Sequence, residues 1–186
     1  MKEIEILIEV KSSKEDALKA LQQFQFQGIK KTLDIYFFDS LRKDLQSDVL
    51  GKLNASFRLR SKDGKNSITY KVDHFDDKDW SHSDEYETEF NDFEIMSHIV
   101  EKLGLVELIR IDNEKHTFLT PNYEIVLEDV QGLGLFMEVE KIGQVADEKI
   151  AETKEEIRSF TRSLDIEFAD EQNAGKPELM LRKKMV

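Results

Sequence analysis

The sequence predicts an α+β protein in which antiparallel strands close into a barrel, or tunnel, with helices packed outside. Three observations lead there. From Met1 to Lys11 the chain alternates, putting Ile4, Ile6, Ile8 and Val10 on one side and Glu3, Glu5, Leu7, Glu9 and Lys11 on the other, as the two-residue period of a strand requires. The same charged alternation returns in most later strand candidates, and only a closed sheet turns all those faces onto one polar interior. Finally, each half of the chain runs through strands and then into a helix, which suggests two similar architectural halves. An open sandwich whose charged faces meet water is the alternative this pattern leaves.

After the first strand, Ser12-Ser13-Lys14-Glu15 has the form of a capping box, and Ala17, Ala20, Leu21 and Phe24 follow at helical spacing, predicting a helix that ends near Gly28. Thr32 to Asp39 reads as a strand with Asp34, Tyr36 and Phe38 on one face. Ser40 to Leu53 has no clear period and reads as a connection. Ala55 to Arg60, a turn at Asp63-Gly64, and Ser67 to Asp73 form a hairpin, with Arg58 and Arg60 on one face of its first strand and Lys71 on one face of its second. Such cations on adjacent strands are as common on a solvated face as in a site.

Phe75 to Asp84, polar and acidic around Trp80, reads as a loop. Glu85, Glu87 and Glu89 then alternate with Tyr86, Thr88 and Phe90 as another strand. Asn91-Asp92-Phe93-Glu94 opens a second helix striped by Met96, Ile99, Val100 and Leu103 and stopped by Gly104. Val106 to Ile111 and Lys115 to Leu119 read as strands around Asp112-Asn113, while Tyr123 to Val130 and Leu135 to Lys141 flank Gln131-Gly132-Leu133-Gly134. Asp147 begins a third helix, and the end of the chain from Gly175 reads as a loop and a short helix.

At 186 residues with 39% hydrophobic and 35% charged residues, the whole chain reads as one soluble folded domain, 1–186. It shows no apolar run long enough for a bilayer and no basic-then-apolar leader, so the expected location is the cytoplasm, with no membrane partner. The absence of cysteine removes disulfides, thiolate metal sites and a cysteine nucleophile. A net charge of −12 argues against a nucleic-acid partner, because duplex affinity rests on basic groups replacing phosphate counterions. An anionic ligand would need a sheltered local cluster of Arg and Lys. The histidines, His74, His82, His98 and His116, have no metal-ligand spacing among themselves, and neither a nucleotide-binding glycine loop nor a nucleophile elbow occurs.

The stretch Leu127-Glu128-Asp129-Val130-Gln131-Gly132-Leu133-Gly134-Leu135-Phe136-Met137-Glu138-Val139-Glu140 is similar in order and spacing to LDxVxxLGxFxExE of the CYTH family, the triphosphate tunnel metalloenzymes. Asp34-Ile35-Tyr36-Phe37 resembles that family's DxYF strand, Phe57-Arg58-Leu59-Arg60 and Thr69-Tyr70-Lys71 its LRxR and LTxK strands, and Glu87-Thr88-Glu89 its central ExE. The resemblance covers nearly the whole chain. With Lys11 as the lysine of the family's ExExK, this chain reads Leu7-x-Glu9-x-Lys11 and lacks the first glutamate. The family's KxR becomes Asn113-x-Lys115, and its aspartate before the LG turn becomes Glu128.

The resemblance implies a tunnel enzyme that uses Mg2+ or Mn2+ on a small-molecule triphosphate, namely ATP, thiamine triphosphate or tripolyphosphate, by cyclisation or hydrolysis. It implies Lys11, Arg58, Arg60, Lys71 and Lys115 as phosphate holders and Glu9, Glu138 and Glu140 as metal ligands, with Glu5, Glu87, Glu89 and Glu128 in support. Arg offers planar forks to phosphate oxygens and carboxylates offer the hard oxygens such ions take. Catalytic groups beyond these are not assigned, and the oligomeric state is open, a homodimer included. The competing expectation is a binding module with little turnover, weakened by Leu7 and Asn113.

Overall fold

Runs of strands separated by helices follow one another along the chain where the charge and apolar periods place them. The computed structural model describes residues 2–49, 51–76, 79–171 and 173–185. Its strands are β1 (Lys2–Glu3), β2 (Glu5–Glu9), β3 (Gln25–Phe38), β4 (Ala55–Lys62), β5 (Lys65–Asp76), β6 (Asp79–Phe90), β7 (Val106–Leu119), β8 (Tyr123–Val130) and β9 (Gly134–Lys141). The helices are α1 (Lys14–Leu21), α2 (Phe93–Lys102), α3 (Ile150–Arg162) and α4 (Lys176–Met185).

All neighbours pair antiparallel in the order β1-β6-β5-β4-β3-β7-β8-β9-β2. Because β1 and β2 are one extended segment interrupted at Ile4, the two ends of the sheet meet in it. Lys2 and Glu3 pair with Asp84 and Ser83, whereas Glu5 to Glu9 pair with Glu140 to Phe136. The N-terminal segment thus closes the sheet into a nearly complete barrel, as the charge alternation predicts.

Several boundaries differ from the sequence reading. The first helix stops at Leu21 and β3 starts at Gln25, because β7 pairs with β3 as far as Gln25↔Leu119, across a bulge that Gly28 at φ 127° accommodates. For the same reason β7 runs unbroken through Asp112 and Asn113. The segment read as a loop, Phe75 to Asp84, is mostly the far end of the β5–β6 hairpin, with Asp77 and Lys78 outside the described residues. Its partner strand supplies the hydrogen bonds that an acidic sequence alone does not advertise. The Asp63-Gly64 turn is as expected: both residues have positive φ, 50° and 76°, which suits the twist of a two-residue hairpin.

The second helix starts at its predicted cap, Asp92 accepting from the Ile95 N–H at 2.9 Å; the first is capped one residue later than the predicted box, Ser13 accepting from the Asp16 N–H at 3.1 Å, and the third begins at Ile150 after a 3-10 turn over Asp147–Lys149. The outward faces of the strands form the core with the helices. Ile4, Ile6, Ile125, Leu127, Met137 and Val139 are buried with Ala17 and Leu21 of α1 and Ile150 and Ile157 of α3. On the opposite wall, Ile35, Phe37 and Leu59 pack with Val100 of α2. Each such aliphatic side chain contributes roughly 1.5–3 kcal/mol by leaving water. One end of the barrel interior is apolar: Leu7, Tyr36, Ile109, Ile111, Val130 and Phe136 pack together with Leu179, Met180 and Leu181 of α4 beside them. Buried Glu178 anchors α4, accepting from the Leu53 N–H at 2.8 Å and the Gly175 N–H at 2.7 Å. Among the described residues no helix is long and apolar enough to cross a membrane.

Candidate functional site

The inward positions of the strands converge on a cavity of about 200 Å³. Its walls carry Arg58, Arg60 and Lys62 from β4, Thr69, Lys71 and Asp73 from β5, and Glu85 and Glu87 from β6. Lys115, Glu124, Glu138 and Glu140 come from β7, β8 and β9; Glu3, Glu5 and Leu7 come from the closing segment. The same parity that buries isoleucine outside puts these charges inside.

The cations are held in place by carboxylates. Arg60 donates from Nε and Nη2 to the two oxygens of Asp34, both at 2.7 Å, and Asp34 is fully buried. Burial would raise the Asp34 pKa, but the Arg60 guanidinium overrides it and holds the carboxyl well below its usual range. Arg58 donates to Thr69 at 3.1 Å and to Glu85 at 3.3 Å, while its buried Nε has no hydrogen-bond partner among the described residues. An unpaired guanidinium N–H in a cavity wall is unfavourable by itself and suits an anion.

Lys71 donates to Glu5 at 2.8 Å and to Glu3 at 2.9 Å, with Glu85 at 3.9 Å. Burial acts to lower its pKa, yet Glu5, Glu3 and Glu85 raise it well above the ordinary value, so it stays charged. Lys115 reaches Glu128 at 3.0 Å and Glu138 at 3.5 Å. A second lysine, Lys176 at the start of α4, contacts the same two carboxylates. These two ammonium groups overcome burial and keep the Glu138 carboxyl well below its usual range; burial and the Glu138 charge push Glu128 the other way.

Acidic groups gather elsewhere in the cavity. Glu140 pairs in register with both Glu5 and Glu124. Burial, then the charges of Glu5, Glu3 and Glu124, push the Glu140 carboxyl up to about 8. Glu3 is raised too, by burial and by its hydrogen bond with Glu85. Crowded carboxylates that repel one another are the kind of donor a hard divalent cation relieves, which makes Glu3, Glu5 and Glu140 the candidate ligands for such an ion in the cavity.

Most of the expected site residues meet in or against this cavity: Arg58, Arg60, Lys71, Lys115, Glu138, Glu140, Glu5 and Glu87 line it, and Glu128 is buried behind Lys115. Three stand apart. Glu9 accepts from Lys11 at 2.7 Å and neither lines the cavity; Glu89 is exposed, 4.0 Å from Lys65. Beyond Leu7 the inward face of the segment has passed the apolar end of the barrel, so its lumen positions are Glu3, Glu5 and Leu7. The cavity-lining positions of this segment, Glu3-x-Glu5-x-Leu7, have the spacing of the ExExK pattern with leucine at its lysine position. Asp34, Glu3, Glu85, Glu124 and Lys176 were not singled out as site residues from sequence. Parity signalled the first four, but Lys176, in an unpatterned tail, gave no signal. His116 is turned from the cavity, 3.0 Å from Glu114.

A family described as the CYTH domain matches residues 1–172. A Methanocaldococcus jannaschii protein provisionally named an adenylate cyclase is 31% identical over 168 residues, covering 89% of this chain and 91% of its own. A Pyrococcus horikoshii protein superposes with a TM-score of 0.80 at 24% identity, over 97% of this chain and 99% of that one. A Hippeastrum protein, described as a candidate adenylyl cyclase with a dominant triphosphatase activity, superposes with a TM-score of 0.60 at 17% identity, over 98% and 96% of the two chains.

Proposed function

The chain belongs to the CYTH family, and from that premise we propose that it is a divalent-metal-dependent enzyme acting on a triphosphate inside its barrel, in the manner of an adenylate cyclase or a triphosphatase. The observation that supports this most is the gathering of Arg58, Arg60, Lys71, Lys115 and Lys176 with Glu3, Glu5 and Glu140 around one cavity. A cavity of about 200 Å³ is small beside pockets for drug-sized ligands, so a phosphate chain enters while any base, ribose or thiamine stays at the mouth.

In this reading Arg58 offers its unpaired Nε and its fork to phosphate oxygens, and Arg60, fixed by Asp34, holds the next oxygens in line. Lys71, Lys115 and Lys176 neutralise charge as the phosphorus–oxygen bond breaks. Glu3, Glu5 and Glu140 take the place the sequence reading gives to Glu9, Glu138 and Glu140 as holders of the metal: of these Glu138 alone is engaged by two lysines, Lys115 and Lys176, whereas Glu3 and Glu5 share one, Lys71. Mg2+ or Mn2+, when bound, would polarise the phosphate oxygens and lower their charge. Leu7 and Glu138 are cross-strand partners, so Lys176 brings a cation beside the position where the family motif carries its lysine.

The test is to incubate the protein with Mg2+ or Mn2+ and tripolyphosphate, thiamine triphosphate or ATP, and to assay phosphate, pyrophosphate and cyclic AMP. Turnover that falls with Arg58→Ala, together with weaker binding in calorimetry, is the expected result. Binding without turnover favours a second reading, a phosphate-binding module, to which the apolar Leu7 in the cavity wall lends weight. Neither binding nor turnover overturns both.

A further inference from the structure

On the outer wall of the barrel, on the face opposite the cavity, the β5–β6 hairpin brings together His74, His82 and Asp84. His74 and His82 are directly opposed in the strand register, and their rings stack 4.5 Å apart at 9°. Asp84 lies two residues along on the same face, its Oδ2 2.9 Å from His74 Nε2. One ligand atom from each of the three lies within 4.8 Å of the others. The histidines show no metal-ligand spacing along the sequence, but the hairpin turns a separation of eight residues into a cross-strand pair.

We propose that His74, His82 and Asp84 form a binding site for a borderline transition-metal ion of the Zn2+ class, separate from the cavity and its carboxylates. Two imidazole nitrogens and one carboxylate oxygen are a three-ligand set that leaves a fourth tetrahedral position for water, and imidazole selects Zn2+, Co2+ or Ni2+ over Mg2+. Ser81 Oγ lies 3.2 Å from His82 Nδ1, which orients that ring and leaves Nε2 for the ion. The His74 and Asp84 side chains are 42% and 34% exposed, enough for an ion to enter and for the rings to turn the short way to coordination. Burial and the neighbouring His74 lower the His82 pKa, favouring the neutral ring that binds metal.

Occupancy has a structural consequence. The other face of the same two strands carries Lys71, Asp73, Glu85 and Ser83, and Ser83 donates to Asp73 at 2.6 Å. An ion bridging His74 to His82 staples these strands from behind and fixes the spacing of Lys71 and Glu85 across the cavity wall.

The test is a Co2+ titration followed by visible absorption, then displacement by Zn2+, all in excess Mg2+ so that the carboxylates of the cavity are occupied. One ion per chain with the intense bands of low coordination is expected, weakened at least about tenfold by His82→Gln or His74→Gln and unchanged by Glu140→Gln. Saturating Zn2+ should also raise the Tm by roughly 5 °C in the wild-type chain and not in the His74→Gln/His82→Gln double variant. Circular dichroism of the variants, whose changed side chains are partly exposed, confirms folding. No binding in the wild type, equal binding in the double variant, or binding lost only with Glu140→Gln overturns the site.

Discussion

Replacing Glu140 by Gln removes an ionisable group without changing its shape, and the structure predicts how stability then depends on pH. Burial with Glu5, Glu3 and Glu124 raises the Glu140 pKa from an ordinary 4.5 to about 8, so the folded chain keeps a proton that the unfolded chain releases. The stability this group contributes is therefore full below about pH 4.5 and is lost as pH climbs through about 8. A gap of about 3.5 pH units corresponds to ~5 kcal/mol at most, and screening by the solvent that reaches this partly open carboxyl reduces it to ~2 kcal/mol. Urea unfolding of chelator-treated protein between pH 5 and pH 8.5 measures it: the wild type should lose about that much more stability than Glu140→Gln across the range. Added Mg2+ should flatten the wild-type slope, since the ion stabilises the carboxylate. Parallel pH curves for the two proteins would refute the crowding of carboxylates from which the cation site is argued.

Asp34→Ala strands the Arg60 guanidinium inside the barrel and should cost ~3–5 kcal/mol, seen as a lower urea midpoint at unchanged slope; because the Asp34 pKa is depressed, the wild-type contribution holds at neutral pH and fades only as pH falls into strong acid. Ile125→Ala, at a fully buried position beneath the helices, should destabilise by ~2–5 kcal/mol in the same assay. Lys176→Ala should weaken tripolyphosphate binding about tenfold in calorimetry, and Leu7→Lys in that background should restore part of it, since the two positions flank Glu138.

The charge alternation made the barrel legible because a strand's two-residue period states which side chains share a face, and Arg58, Arg60, Lys71 and Glu138 all point where that period sends them. Depth along the barrel was not legible. Moving the ExExK pattern by four residues leaves every side chain on the same face, so Glu9 and Lys11 satisfied the alternation as well as Glu3 and Glu5 do. Only the pairing of Glu5 with Glu140 and the handover at Ile4 distinguish them. Likewise the far ends of β3, β5, β6 and β7 take their strand form from partners remote in sequence rather than from their own polar composition. Lys176 reaches Glu128 and Glu138 across more than thirty-five residues of chain, a proximity that no local pattern encodes.

The handover at Ile4 also sets a timetable. Lys2 and Glu3 hydrogen-bond with β6, whereas Glu5 to Glu9 hydrogen-bond with β9 and so stay without their final neighbours until residues 136 to 140 have been made. Fastening β2 to β9 is a late, long-range step with a large loop-closure cost, which predicts slow refolding and a growing chain whose apolar Ile4, Ile6 and Ile8 lie open to chaperones.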